Sequence, residues 1–106
     1  MPKYLFKVNY TLDGFKGVLA KGGSARHQAA QAGAESAGGT VESFYFAFGD
    51  TDVYGVADLP DNTAAAAFAL TVAASGGASI DTTVLLSPDE VDAAAGKKIG
   101  YEPPGS

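Results

Sequence analysis

The chain contains no cysteine and no tryptophan, a single histidine at His27 and a single methionine at Met1. The missing thiols exclude disulfide frameworks, cysteine nucleophiles and iron–sulfur clusters, and one imidazole cannot build the usual Cys/His zinc site. Charge is sparse: only 18% of the 106 residues are Asp, Glu, Lys or Arg, and 12 acidic against 7 basic residues leave a net charge of −5. An acidic chain of this kind is a poor match for a phosphate backbone, so nucleic acid is not an expected partner. Apolar runs such as Ala64–Leu70 fall far short of the roughly 20 residues that span a bilayer, so no membrane segment is expected. Met1-Pro2-Lys3 leads straight into alternating residues rather than a charged stretch and an apolar one, which reads as a cytoplasmic protein without a targeting signal.

What is abundant is small. Alanine and glycine fill about a third of the chain, so the core must be built from short side chains brought close together. The length allows one domain and no separate catalytic and substrate modules. That domain is expected to span residues 1–106, with an ordered core over about 3–95 and an extended tail over 96–106.

Tyr4, Phe6, Val8 and Tyr10 alternate with Leu5, Lys7 and Asn9, which predicts a first strand. Thr11 and Asp13 are caps for a helix whose apolar face is Leu12, Phe15, Val18 and Leu19. Gly22-Gly23 interrupts it, and Ser24 opens a second helical piece with a stripe of Ala25, Ala29, Ala32 and Ser36 that ends at Gly38-Gly39. Val41–Phe48 and Val53–Leu59, joined by Gly49-Asp50-Thr51-Asp52, predict an antiparallel hairpin closed by Pro60. Asp61 or Asn62 caps a helix with Ala65, Phe68, Ala69 and Val72 on one face, Gly76-Gly77 stops it, and Ile80–Leu86 is a fourth strand. Ser87-Pro88-Asp89-Glu90 combines a cap residue, a proline at the first helical position and a carboxylate at the third, which predicts a short terminal helix.

The order β-α-β-β-α-β with an added terminal helix is that of the ferredoxin-like α+β sandwich, in which both helices cover one face of a four-stranded antiparallel sheet. The other face does not read as polar. Val41, Tyr45 and Ala47 alternate with Phe44, Phe46 and Phe48, and Tyr54 and Val56 alternate with Val53 and Ala57. So much apolar surface predicts pairing with a second copy, in a homodimer or a higher homo-oligomer.

The segments Met1-Pro2-Lys3-Tyr4-Leu5, Gly22-Gly23-Ser24-Ala25-Arg26, Phe44-Tyr45-Phe46-Ala47-Phe48-Gly49, Asp58-Leu59-Pro60-Asp61-Asn62 and Leu85-Leu86-Ser87-Pro88-Asp89-Glu90-Val91 resemble, in order and over nearly the whole chain, those of the GYD domain family of small bacterial proteins. The resemblance implies a dimeric α+β barrel, in which two ferredoxin-like units pack sheet to sheet, and no established activity. This chain departs from the family's Gly-Tyr-Asp signature: Gly49-Asp50-Thr51-Asp52 has no tyrosine between glycine and aspartate, and Asp52 is the positional match to the acidic residue.

Three groups of residues are candidates for chemistry. Gly22, Gly23 and Ser24 at a helix start, flanked by Lys21 and Arg26, have the composition of an anion site, although the spacing is not that of a P-loop. The competing reading is a helix kink in which Arg26 bonds a nearby acid. Asp50 and Asp52 have the spacing of a weak cation or acid/base pair but are also ordinary turn residues. His27, weighed as a general base or haem ligand, reads as a solvent-exposed side chain beside Arg26. Tyr4, Phe6, Tyr10, Phe44, Tyr45, Phe46, Phe48 and Tyr54 are expected either to line an apolar pocket or to form core and dimer interface. No metal and no cofactor is expected. The reading is a small oligomeric protein that binds an organic anion, with Tyr45, Asp52 and Tyr54 joining the residues around Arg26 and His27. The alternatives are a cofactor-independent enzyme, monooxygenase- or isomerase-like by analogy with dimeric α+β barrels, and a purely structural oligomer.

Overall fold

The computed structural model describes residues 1–105. It consists of β1 (Lys3–Tyr10), α1 (Leu12–Lys21), α2 (Gly23–Ser36), β2 (Thr40–Phe46), β3 (Val53–Asp58), α3 (Asn62–Ala74), β4 (Ala78–Leu85) and α4 (Pro88–Ala95). The four strands form one antiparallel sheet in the order β2-β3-β1-β4. This is the ferredoxin-like α+β arrangement expected from the order of elements.

Local chemistry places most element ends. The Thr11 side chain accepts from the Gly14 N–H at the start of α1, and that of Asp61 accepts from the Ala64 N–H at the start of α3. Ser87 and Glu90 form a reciprocal capping box at the start of α4, with Pro88 at the first helical position. Gly22, at φ 84°, separates α1 from α2 and is itself the cap of the second helix, two residues ahead of the expected Ser24.

Three details differ from the sequence reading. The hairpin arm β2 ends at Phe46, leaving Phe48 fully exposed in the connection to β3. A bulge between Val41 and Ser43 adds a residue to β2, so Val41 pairs with Ala57 and points, with Phe44 and Phe46, to the helix side rather than with Tyr45. The inward face of α2 is not the stripe Ala25, Ala29, Ala32, Ser36. Ala34 is buried, Ala37 packs against the core, and Gly33 lets the Phe68 ring come so close that a methyl group there would lie 2.8 Å from it. A helix of alanine, glycine and serine carries little amphipathic signal, and this contact sets its rotation instead.

The core is small and lies at one end of the sheet: Tyr4, Phe6, Ala34, Ala57, Leu59 and Ala65, with Ala37, Val41, Ala64, Phe68 and Ile80 packed around it. The expected inward face of α3 is correct, but α1 has no buried residue, and Leu12 and Leu19 are exposed. Thr11 ties α1 to the far end of the sheet, where its N–H donates to the Gly77 carbonyl and its hydroxyl to the Gly76 carbonyl. Every residue from Leu86 to Gly105 is exposed, and the radius of gyration is 16.8 Å. A compact domain of this length has a radius of about 13 Å, so α4 and the tail project from the body.

Candidate functional site

Away from the core, the helices do not close onto the sheet. The walls there are Ala29, Ala30 and Gly33 of α2 and Ala67, Phe68, Thr71 and Val72 of α3, facing Phe6, Val8, Tyr10, Phe44, Val53 and Ile80 of the sheet. Most of the helix residues are too short to fill the gap, and a cavity of about 560 Å³ remains. Interiors normally leave few voids larger than a water molecule, whereas ligand pockets span about 300–1,000 Å³. The alanine and glycine content thus becomes empty, apolar volume under the helices.

Arg26 is the one permanently charged side chain of the cavity wall. It is half-buried, and it also borders a shallower cleft formed with Asp13, Gly17, Lys21 and Ser75–Gly77. Among the described residues the ion pairs are those of Lys3, 3.0 Å from Glu42 and 2.9 Å from Asp58, at the opposite end of the sheet; Arg26 has no carboxylate partner. Those carboxylates raise the Lys3 pKa, the bond to Asp58 contributing most. Of the kink reading, the helix break at Gly22 is present, and the bond from Arg26 to an acid is not.

Tyr10 lines the same wall. Its ring lies against Phe15 edge-on, with centroids 5.6 Å apart, and is stacked 6.5 Å from Phe46. Burial pushes the phenol pKa above its usual value, the Arg26 charge opposes this, and the Asp52 charge adds to it. Tyr10 is therefore a protonated hydrogen-bond donor at neutral pH. No cluster of three or more His, Cys, Asp or Glu among the described residues is arranged to hold a metal ion.

The other candidate residues separate into distinct places. Gly23 faces the Phe46 ring, 2.9 Å from where a methyl group would stand, while Gly22 and Ser24 are exposed. His27 is exposed and its ring stacks on Phe44 with centroids 5.1 Å apart. Tyr45 and Tyr54 are direct cross-strand partners on the face of the sheet turned away from the helices, 70% and 41% exposed. They stand apart from the cavity, and Asp50 is exposed in the hairpin loop.

Asp52 fastens that loop to the end of β1. Its N–H is shared between the Val8 carbonyl and the Asn9 side-chain oxygen, each at 3.0 Å; its carbonyl accepts from the Ala47 N–H at 2.8 Å; and its carboxylate accepts from the Tyr10 N–H at 2.9 Å. Removing the carboxylate orphans a partly buried N–H beside the cavity wall. Asp52→Ala is expected to cost about 1–3 kcal/mol, and Asp52→Asn less, because its amide oxygen still accepts. Urea unfolding of the two variants measures the difference.

The wall residues Ala29, Ala30, Gly33, Phe68 and Thr71 escaped the sequence reading because nothing in composition marks a residue by the space beside it. Tyr10 was legible as a wall aromatic, since alternation along β1 puts it on the face of Phe6.

Taken together, the molecule is a ferredoxin-like α+β domain with an apolar cavity beneath its helices and a lone cation in the wall. The GYD domain family model matches residues 4–95, and the chain belongs to the GYD domain family. No curated protein and no solved structure matches it. No helix among the described residues is long and apolar enough to cross a membrane.

Proposed function

We propose that the protein binds a small, largely apolar organic anion in the cavity between sheet and helices, and that it does so as a homodimer or higher homo-oligomer. The observation that carries the first part is Arg26, a half-buried residue whose charge lies in a largely apolar wall with no acidic partner. An unpaired charge partly removed from water is costly, and an anionic group docked on it offsets that cost while the rest of the ligand fills the apolar volume. Tyr10 adds a neutral donor on the same wall.

The test is a titration with anilinonaphthalene sulfonate, an apolar anion whose emission rises on leaving water. The Arg26→Gln variant is expected to bind about 10- to 100-fold more weakly, as loss of a charge-assisted contact implies, with an unchanged melting temperature. Unchanged affinity would refute the reading.

Tyr10 supports a second reading, a cofactor-independent isomerase-like enzyme in which the neutral phenol donates a hydrogen bond to the oxygen where negative charge develops on a bound carbonyl substrate. Tyr10→Phe then abolishes turnover and leaves anion affinity within about twofold, since the ring still packs. The open interior weighs against a purely structural role.

Self-association rests on the sheet face opposite the helices. Leu5 and Val56 pair across β1 and β3, and Tyr45 and Tyr54 pair across β2 and β3, an apolar strip bordered by Lys7, the β1 partner of Tyr54. Pairing of two such faces in an interface above about 2,000 Å² is the arrangement of obligate homodimers.

A further inference from the structure

The cavity has a direction as well as a volume. Its wall on α2 runs through Arg26, Ala30, Gly33 and Ala37, spacings that keep to one side of the helix for most of its length. At 1.5 Å per residue the eleven steps from Arg26 to Ala37 span about 16 Å. The opposite wall on α3, from Ala67 to Ser75, covers about 12 Å. The space is therefore a slot between two helices, and its permanent charge is at one end. Arg26 and Ser75 also share the neighbouring cleft, which fixes that end as the one where α2 begins and α3 finishes.

We infer that the ligand is a single-chain monocarboxylate of about twelve carbons, with its carboxylate on Arg26 and its chain laid along the slot toward Ala37. This rests on the anion-binding reading above and specifies its ligand class. An extended chain advances about 1.3 Å per carbon, so ten to twelve carbons fill the slot and one- or two-ring aromatics leave half of it empty. One cation with no second one farther along the wall suits a monoanion. Ala30 and Gly33 are the residues whose small size keeps the slot continuous.

The experiment is displacement of anilinonaphthalene sulfonate from the full chain by straight-chain carboxylates of six to sixteen carbons, with the matching alcohols and a rigid fused-ring carboxylate of similar length. Affinity is expected to rise about three- to fourfold per added methylene and to level off between ten and fourteen carbons. The alcohols are expected to bind at least tenfold more weakly than the acids on the wild-type protein and equally on Arg26→Gln. Ala30→Leu, which places a branched side chain one helical turn from Arg26, should move the plateau below eight carbons while leaving six-carbon acids unaffected. Because the wild-type series alone reads the chain dependence, the inference is testable even if Ala30→Leu does not fold. Affinity independent of chain length, or tighter binding of the fused-ring acid, would overturn the chain assignment and leave the anion reading intact. Failure of the probe and of every acid to bind would remove both.

Discussion

Tyr4→Ala is expected to be the most damaging single substitution in the protein, costing about 3–5 kcal/mol and leaving much of the chain unfolded near physiological temperature. Tyr4 is completely buried, lies 6.4 Å from the Phe6 ring, and donates its hydroxyl to the Asn62 side-chain oxygen at 2.7 Å, tying β1 to the first turn of α3. The buried core around it is Phe6, Leu59 and three alanines, too little to fill the space that the ring would leave. A domain of this size has a total stability toward the low end of 5–15 kcal/mol, so a loss of that size consumes most of it. Tyr4→Phe keeps the ring and loses one hydrogen bond, with an expected cost of about 0.5–1.5 kcal/mol. Thermal and urea unfolding of the pair separate packing from hydrogen bonding, and equal losses would contradict the account.

The second large effect concerns assembly. If the open faces of two sheets meet, Tyr54→Lys places a second ammonium in the interface from each protomer, beside Lys7, the direct cross-strand partner of residue 54 on β1. Burying an unpaired charge costs about 3–5 kcal/mol, which raises the dissociation constant by two to four powers of ten. The variant is expected to sediment as a folded or partly folded monomer at micromolar concentration, while Tyr54→Phe remains associated. A wild-type chain that sediments as a folded monomer would dispose of the sheet-to-sheet arrangement.

Strand alternation, the caps at Thr11, Asp61 and Ser87, and the glycine break at Gly22 were readable from residue types alone, because each depends on neighbours only a few positions away. The order of elements then yielded the fold class and its four-stranded antiparallel sheet. Features that depend on contacts distant in sequence were not readable. The bulge beside Val41 is visible only in the pairing with β3, and it moves a side chain from one face of the sheet to the other. The rotation of α2 is set by Phe68 of another helix. The candidate site was half legible: Arg26 and the strand aromatics stood out by type, but the alanines that make the cavity are distinguished by what is missing around them. Tyr45 and Tyr54 were grouped with the cavity because residue type does not reveal which side of a sheet borders it.

β1 occupies an inner position in the sheet, and its partners come late in the chain. Lys3 pairs with Leu85 and Tyr10 with Ala78, so those partners are 82 and 68 positions apart. Only the β2–β3 hairpin forms from neighbouring segments. Pairings of such long range close large loops before they gain contacts, which slows folding. On the ribosome, β1 emerges first and waits for nearly the whole domain to be synthesised before its β4 edge is covered. The hairpin and α3 are therefore the segments expected to organise earliest, with β1 and β4 joining last, and an interrupted chain ending before Ala78 would expose the strand that carries Tyr4 and Phe6.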